Sequence, residues 1–119
     1  ILDTMNTCGC DFKTIVMGTA ASMAAVIASS GTKGKRYIGA NSGMMIHHAL
    51  GGFSGQTADI LRTAQHIEKT NKRLYEILAR NCGVSVQQIA VDCDRDYHLN
   101  AEEAIAYGLA DHIFSGFED

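Results

Sequence analysis

An α/β architecture follows from three features of the chain. Two short apolar runs, Thr14-Ile-Val-Met17 and Met44-Met-Ile46, suit buried strands and are too short for helices. A small-residue segment from Met23 to Ser30 follows the first run and reads as a tightly packed helix. A far longer stretch, from about Thr57 to Asn81, carries apolar residues at helical spacing. Strand and helix signals therefore alternate along 119 residues. That length suffices for one core, so a single domain over residues 1–119 is expected.

Each element has its own signal. Ile1-Leu-Asp-Thr-Met5 reads as the later part of a helix that begins before Ile1, and Cys8-Gly-Cys-Asp11 turns the chain into the first strand. Gly31-Thr-Lys-Gly-Lys-Arg36 closes the small-residue helix before a strand that runs to about Ile38. That loop is no phosphate loop, because Ser29 stands where glycine is required and Arg36 where Ser or Thr is required. Met44-Met-Ile46 leaves His47 at a strand end. The long helix would reach about 37 Å. Its seam is Ile60, Ala64, Ile67, Leu74 and Leu78, with Asn71 in the gap. Spacing alone leaves open whether that seam lies on the chain's own core or under another subunit. Cys82-Gly83 ends the helix with glycine as its stop. Ser85-Val-Gln-Gln88 and Asn100-Ala-Glu-Glu103 both match the capping box, and Asp96 falls in the turn between the two short helices they begin.

Bulk properties narrow the classes. A net charge of −3 argues against nucleic acid as a partner. No apolar run approaches the roughly 18 residues needed to cross a membrane. The four cysteines, Cys8, Cys10, Cys82 and Cys93, lack zinc-knuckle spacing and are expected to be reduced and structural. Asp92, Asp94, Asp96 and Glu103 half-match a calcium loop, but Tyr97 occupies the position where the sharp turn needs glycine. No metal is expected.

Three residues carry the candidate chemistry. Ser22 sits where a strand turns into a helix, so its hydroxyl meets free N–H groups that favour developing negative charge. By itself such a serine is usually only a cap. A nucleophilic serine also needs a base and a group to orient it, and His47 and Asp96 are the candidates. His48 competes with His47, but side chains alternate along a strand and only one of the pair faces Ser22. The backbone from Leu50 through Gly51 to Gly52 offers little side-chain obstruction, so a substrate strand could pair there through main-chain hydrogen bonds.

These stretches resemble the proteolytic subunit of the Clp protease, a self-compartmentalising serine peptidase. Gly18-Thr-Ala-Ala-Ser22-Met-Ala-Ala is similar to its nucleophile segment. Lys33-Gly-Lys-Arg36 with Asn41-Ser and Met44-Met-Ile-His47 is similar to its histidine segment. Leu50-Gly-Gly-Phe-Ser-Gly-Gln56 resembles the glycine-rich strand that follows. Asp94-Arg-Asp96 with Leu99-Asn-Ala-Glu-Glu-Ala104 and Tyr107-Gly-Leu109 resembles the acid segment and last helix. The likeness covers nearly the whole chain.

The resemblance implies a layered α/β superhelix of the Clp-peptidase and crotonase kind, with residues 48–81 forming a protruding strand and helix as a handle. It implies a Ser22-His47-Asp96 triad that cleaves peptide bonds, with the Met23 N–H as one oxyanion donor. The other donor would come from a Ser-Pro-Gly-Gly-like turn preceding Ile1. It further implies a cytoplasmic homo-oligomer of two stacked heptameric rings, joined in part by Asp94 and Arg95, and fed polypeptides by an AAA+ ATPase unfoldase. No ATP site is visible in this chain, and no cofactor is expected. Departures from the family pattern are His48-Ala49 for Gln-Pro, Thr19 for Gln and Ala24 for Gly. Two alternatives are a non-catalytic ring subunit of the same family and a crotonase-type enzyme acting on acyl-coenzyme A.

Overall fold

The computed structural model describes residues 1–48 and 57–117. In chain order the elements are α1 (Leu2–Thr7), β1 (Thr14–Val16), β2 (Thr19–Ala21), α2 (Met23–Ser29), β3 (Arg36–Gly39) and β4 (Gly43–Ile46). After these come α3 (Thr57–Cys82), α4 (Val86–Asp92), β5 (Tyr97–Asn100), α5 (Ala101–Tyr107) and β6 (His112–Phe114). The class is α/β, as the alternation of signals predicts. Two strand–strand–helix units, β1-β2-α2 and β3-β4-α3, stack so that β1 pairs parallel with β3 and β2 pairs parallel with β4. Among the described residues two three-stranded sheets result, ordered β1-β3-β6 and β2-β4-β5, and of their pairs only β4–β5 is antiparallel.

The core lies where these layers meet. Ile38, Met44, Ile46, Val26, Leu78, Ile89, Cys93 and Leu109 are fully buried there. Alanines do much of the close packing: Ala25, Ala101 and Ala104 let helices approach the sheets without a side chain between them. Gly108 does the same at one point. It adopts φ +101° to end α5, and a Cβ there would lie 2.4 Å from the Cys82 carbonyl at the end of α3. Glycine is required both by conformation and by room.

The 26-residue α3 is about 39 Å long and matches the expected span to within a residue. Gly83 stops it at φ +70°. Burial divides it in two. Leu78, Ala79 and Asn81 are buried against the body, whereas Leu61 is 58% exposed and no described side chain of the first half belongs to the core. The body-facing reading of the seam therefore holds only from Leu74 onward. The residues expected to form the handle's strand, 49–56, lie outside the described residues, and Leu50, Gly51 and Gly52 among them.

Several expectations need correction. The first apolar run is interrupted at Met17-Gly18, and Thr19-Ala-Ala21 forms a separate strand, because Gly18 turns the chain at φ +97°. Asp96 is followed by strand β5, not by a turn running straight into a helix, since Tyr97–Asn100 finds a free partner in β4. Only one capping box is complete. Asn100 and Glu103 exchange both bonds, at 2.8 and 2.9 Å. Ser85 accepts from the Gln88 N–H, but the Gln88 amide turns away to Asp92. Finally, Cys8 and Cys10 are joined as a disulfide, their Cα atoms 5.7 Å apart across Gly9 at φ +69°. Cys82 and Cys93 are free, their thiols pushed up to about 12 and about 11 by burial above all.

Arg36 holds the layers together at one end. Its side chain is 4% exposed and uses every part of the guanidinium. Nε and one terminal nitrogen grip Asp111, each at 2.8 Å. The other terminal nitrogen donates to the carbonyls of Ser29, Asn81 and Gly108, near the C-terminal ends of α2, α3 and α5. Those are unsatisfied carbonyls at the negative ends of helix dipoles, so a cation suits all three. The Arg36 hydrogen bonds hold the Asp111 carboxyl down at about 2, with the Gly34 N–H also contributing. Because that value lies below the ordinary carboxylate value near 3.9, the pair stabilises the fold above pH ~4 and loses that contribution as pH falls towards 2. Asp111→Asn should cost about 3 kcal/mol in urea unfolding at pH 7, with the gap to wild type closing between pH ~4 and ~2. A gap that stays constant across that range would count against this account.

Candidate active site

The three candidate residues leave one edge of the β2-β4-β5 sheet. Strands β2 and β4 are parallel, so their C-terminal ends share an edge; β5 is antiparallel to β4, so its N-terminal end shares it too. Ser22 follows β2, His47 follows β4 and Asp96 precedes β5. The sheet order sets them out as serine, histidine, aspartate, with the histidine in the middle. Carboxyl ends of parallel strands are where open α/β sheets present chemistry.

Ser22 is held in an unusual backbone state. At φ 61°, ψ −123° it is the one described non-glycine residue with positive φ. Such a conformation costs on the order of 1–3 kcal/mol and persists only where the surroundings impose it. Here they do. The Ser22 N–H donates to the Met45 carbonyl at 2.9 Å, tying the turn to β4, while its own carbonyl accepts the first bonds of α2 from Ala25 and Val26. The alanines on either side, Ala20, Ala21 and Ala24, leave room for so sharp a reversal. The Ser22 side chain does not cap α2. Its Oγ lies 3.0 Å from His47 Nε2 instead. The capping role that serine usually plays at a helix start is therefore not the role played here.

His47 and His48 separate as strand alternation requires. His48 turns the other way, and both its ring Nδ1 and its main-chain N–H meet the Cys93 carbonyl, at 2.9 and 3.0 Å. The two rings stand edge to face with centroids 6.4 Å apart. In the tautomer whose Nε2 accepts the Ser22 hydroxyl proton, the His47 ring proton is on Nδ1. That Nδ1 is buried and has no hydrogen-bond partner among the described residues. Asp96 is exposed and does not bond it. The β4–β5 register ends on Ile46 opposite Tyr97, so His47 and Asp96 each stand one residue past the last rung.

Other expected residues fall as follows. Met23 opens α2 and is 51% exposed, so its N–H has no intrahelical acceptor. Its side chain lines a cavity of about 670 Å³ with Leu2, Asp3, Ile27, Arg73 and Ile77, between α1, α2 and α3. Asp94 and Arg95 are exposed in the segment between α4 and β5. Asp92, part of the calcium half-match, accepts instead from the Tyr107 hydroxyl at 2.6 Å and from Gln88. Sequence reasoning missed the His48–Cys93 link. Its only signal was the second histidine itself, and nothing in the spacing names a carbonyl 45 residues away as its acceptor.

Comparison with known proteins decides the family. The family described as Clp protease matches residues 1–116. The chain belongs to the Clp protease family. Among its relatives are the ATP-dependent Clp protease proteolytic subunits of Streptococcus pyogenes serotype M5 (strain Manfredo), serotype M49 (strain NZ131) and serotype M1. Each is 51% identical over 120 residues, covering 99% of this chain and 61% of the relative. The chain thus spans about three-fifths of the length of the Clp proteolytic subunits it matches.

The strained elbow makes a stability prediction. Glycine relieves positive φ, whereas alanine keeps the strain, and neither loses a capping bond that Ser22 does not make. Ser22→Gly should therefore be more stable than Ser22→Ala by about 1 kcal/mol in thermal unfolding. The reverse order would mean that the turn is relaxed.

Proposed function

We propose that this chain carries the catalytic groups of an ATP-dependent Clp-type serine endopeptidase. The 3.0 Å contact between Ser22 Oγ and His47 Nε2, made by a serine whose side chain does no capping, is the observation that supports this most directly. Ser22 Oγ attacks a peptide carbonyl while His47 Nε2 takes its proton; the C–N bond then breaks as His47 returns that proton to the leaving amine. Water hydrolyses the acyl-enzyme by the same relay. Asp96 accepts the His47 Nδ1 proton's hydrogen bond, fixing the tautomer and stabilising the imidazolium. An unpaired buried donor costs about 1–3 kcal/mol, so His47 Nδ1 is a standing demand for such an acceptor. The Met23 N–H, at the positive end of α2, supports the oxyanion. Leu50, Gly51 and Gly52 hold the substrate as an added strand.

The rest of the reading draws on the relatives. Their name, ATP-dependent Clp protease proteolytic subunit, supports an AAA+ ATPase unfoldase as partner and unfolded polypeptides as substrate. The half of α3 that lies off the body, with Leu61 exposed, supports a handle covered by another copy in a stacked double ring. No described helix is long and apolar enough to cross a membrane, and bacterial relatives support a cytoplasmic particle. A crotonase-type reading gains nothing from a serine–histidine pair, which acyl-coenzyme A chemistry of that kind does not use.

In the full-length protein a fluorophosphonate probe should label Ser22, with labelling lost in Ser22→Ala. Asp96→Asn should lower kcat by about 10²–10⁴-fold, the size expected when the histidine loses its orienting carboxylate. Absence of labelling in assembled wild-type protein would favour a purely structural ring subunit. For the contact between rings, Arg95→Ala should shift the sedimenting species from double to single rings; an unchanged particle would remove Asp94 and Arg95 from that role.

A further inference from the structure

His48 stands where the family pattern has glutamine, and the mechanism above gives it no task. Its geometry supplies one. Two donors of the same residue, the main-chain N–H and ring Nδ1–H, converge on the single carbonyl of Cys93, at 3.0 and 2.9 Å. Because a carbonyl only accepts, the ring must carry its proton on Nδ1. Cys93 is 0% exposed and caps the C-terminal end of α4, so its carbonyl would otherwise be an unsatisfied helix end.

The consequence lies in where this link falls. A regular antiparallel ladder would continue from Ile46 and Tyr97 through His47 and Asp96. The chain instead joins the ladder only at Tyr97, and the fixed point on the other side of the gap is Cys93 against His48. Asp94, Arg95 and Asp96 are thus an exposed three-residue excursion pinned at one end to β4 through Tyr97 and at the other to His48 through Cys93. The pins fall on Ile46 and His48, the two neighbours of His47. Rotation of the excursion about its Tyr97 end would carry Asp96 away from His47, and the His48 link opposes that rotation.

We propose that His48 is a positioning residue for the acid of the triad: its ring clamps the Cys93 carbonyl, fixes one end of the Asp94–Asp96 segment and so limits how far Asp96 can move from His47. This rests on the Ser22-His47-Asp96 reading.

A mutant cycle in the full-length assembled protein tests it, with a fluorogenic peptide as substrate. His48→Leu should lower kcat about 10–100-fold with KM changed less than about twofold. His48→Asn, whose short amide N–H reaches where Nδ1–H was, should recover most of that loss. In an Asp96→Asn background the same His48→Leu change should cost less than about twofold, because the clamp acts through Asp96. Where His48→Leu does not assemble, His48→Ser takes its place in the cycle, keeping the main-chain bond and losing only the ring bond. Equal losses in the two backgrounds, no loss in either, or failure of His48→Asn to recover activity would overturn the clamp. Full activity of Asp96→Asn alone would instead bring down the triad reading on which it rests.

Discussion

Three helices of this protein end at one buried cation, and most of the fold's geometry is referred to that point. Removing a guanidinium from water costs several kcal/mol, and only dense hydrogen bonding makes such burial tolerable. Arg36 meets that condition through a forked pair with Asp111 and three helix-end carbonyls. Lysine could not replace it, since a point charge has no fork to divide between a carboxylate and carbonyls on different elements. Asn81 adds a second tie between α3 and α2 through the Ser29 and Ser30 hydroxyls. The C-terminal ends of α2, α3 and α5 are therefore fixed relative to β3, the strand that begins with Arg36 itself.

Fixing the far end of α2 matters because its near end carries Ser22. A seven-residue helix anchored at one end and hydrogen-bonded through Ser22 to Met45 at the other has little freedom to relax. The positive φ at Ser22 is sustained by that double anchorage. Were either end loose, the serine could return to an ordinary helix-start conformation and cap α2 with its own hydroxyl, as serines generally do. The hydroxyl would then be occupied by backbone N–H groups and turned from His47. Strain at the elbow and rigidity at Arg36 are two parts of one constraint.

Much of this was legible from residue order, and the exceptions have identifiable causes. The long helix, its glycine stop and the small-residue helix follow from local periodicity and caps, which act within a few residues. The strands β2 and β5 were not legible, because three- and four-residue strands are defined by their partners and not by their own composition. Arg36 reads locally as one more basic residue in a Lys-Gly-Lys-Arg loop, and only the tertiary fold turns it inward. The Cys8–Cys10 bond was misjudged from cysteine spacing, where the decisive factor was the left-handed turn at Gly9. At the site, motif and alternation singled out Ser22 and His47 as a candidate pair. The β4–β5 ladder ends one rung short of His47 and Asp96, and no sequence pattern records that.

The early end of the ladder has a physical use. A regular β4–β5 pairing extended through residues 47 and 96 would engage the main chain of His47, the residue proposed to move a proton, in the sheet. Ending the ladder at Ile46 and Tyr97 and resuming contact only at His48 and Cys93 leaves the His47 ring flanked by fixed points yet free on its Nδ1 side. A buried donor without a partner is costly, and the cheapest remedy is a small movement of an exposed segment carrying a carboxylate. Within the limits set by the His48–Cys93 link, the segment able to make that movement is Asp94–Asp96, whose three side chains are all exposed. On the proposed Ser22-His47-Asp96 reading, whatever covers that segment from outside bears on the proton relay, so contacts at a surface remote from substrate act on the chemistry through Asp96.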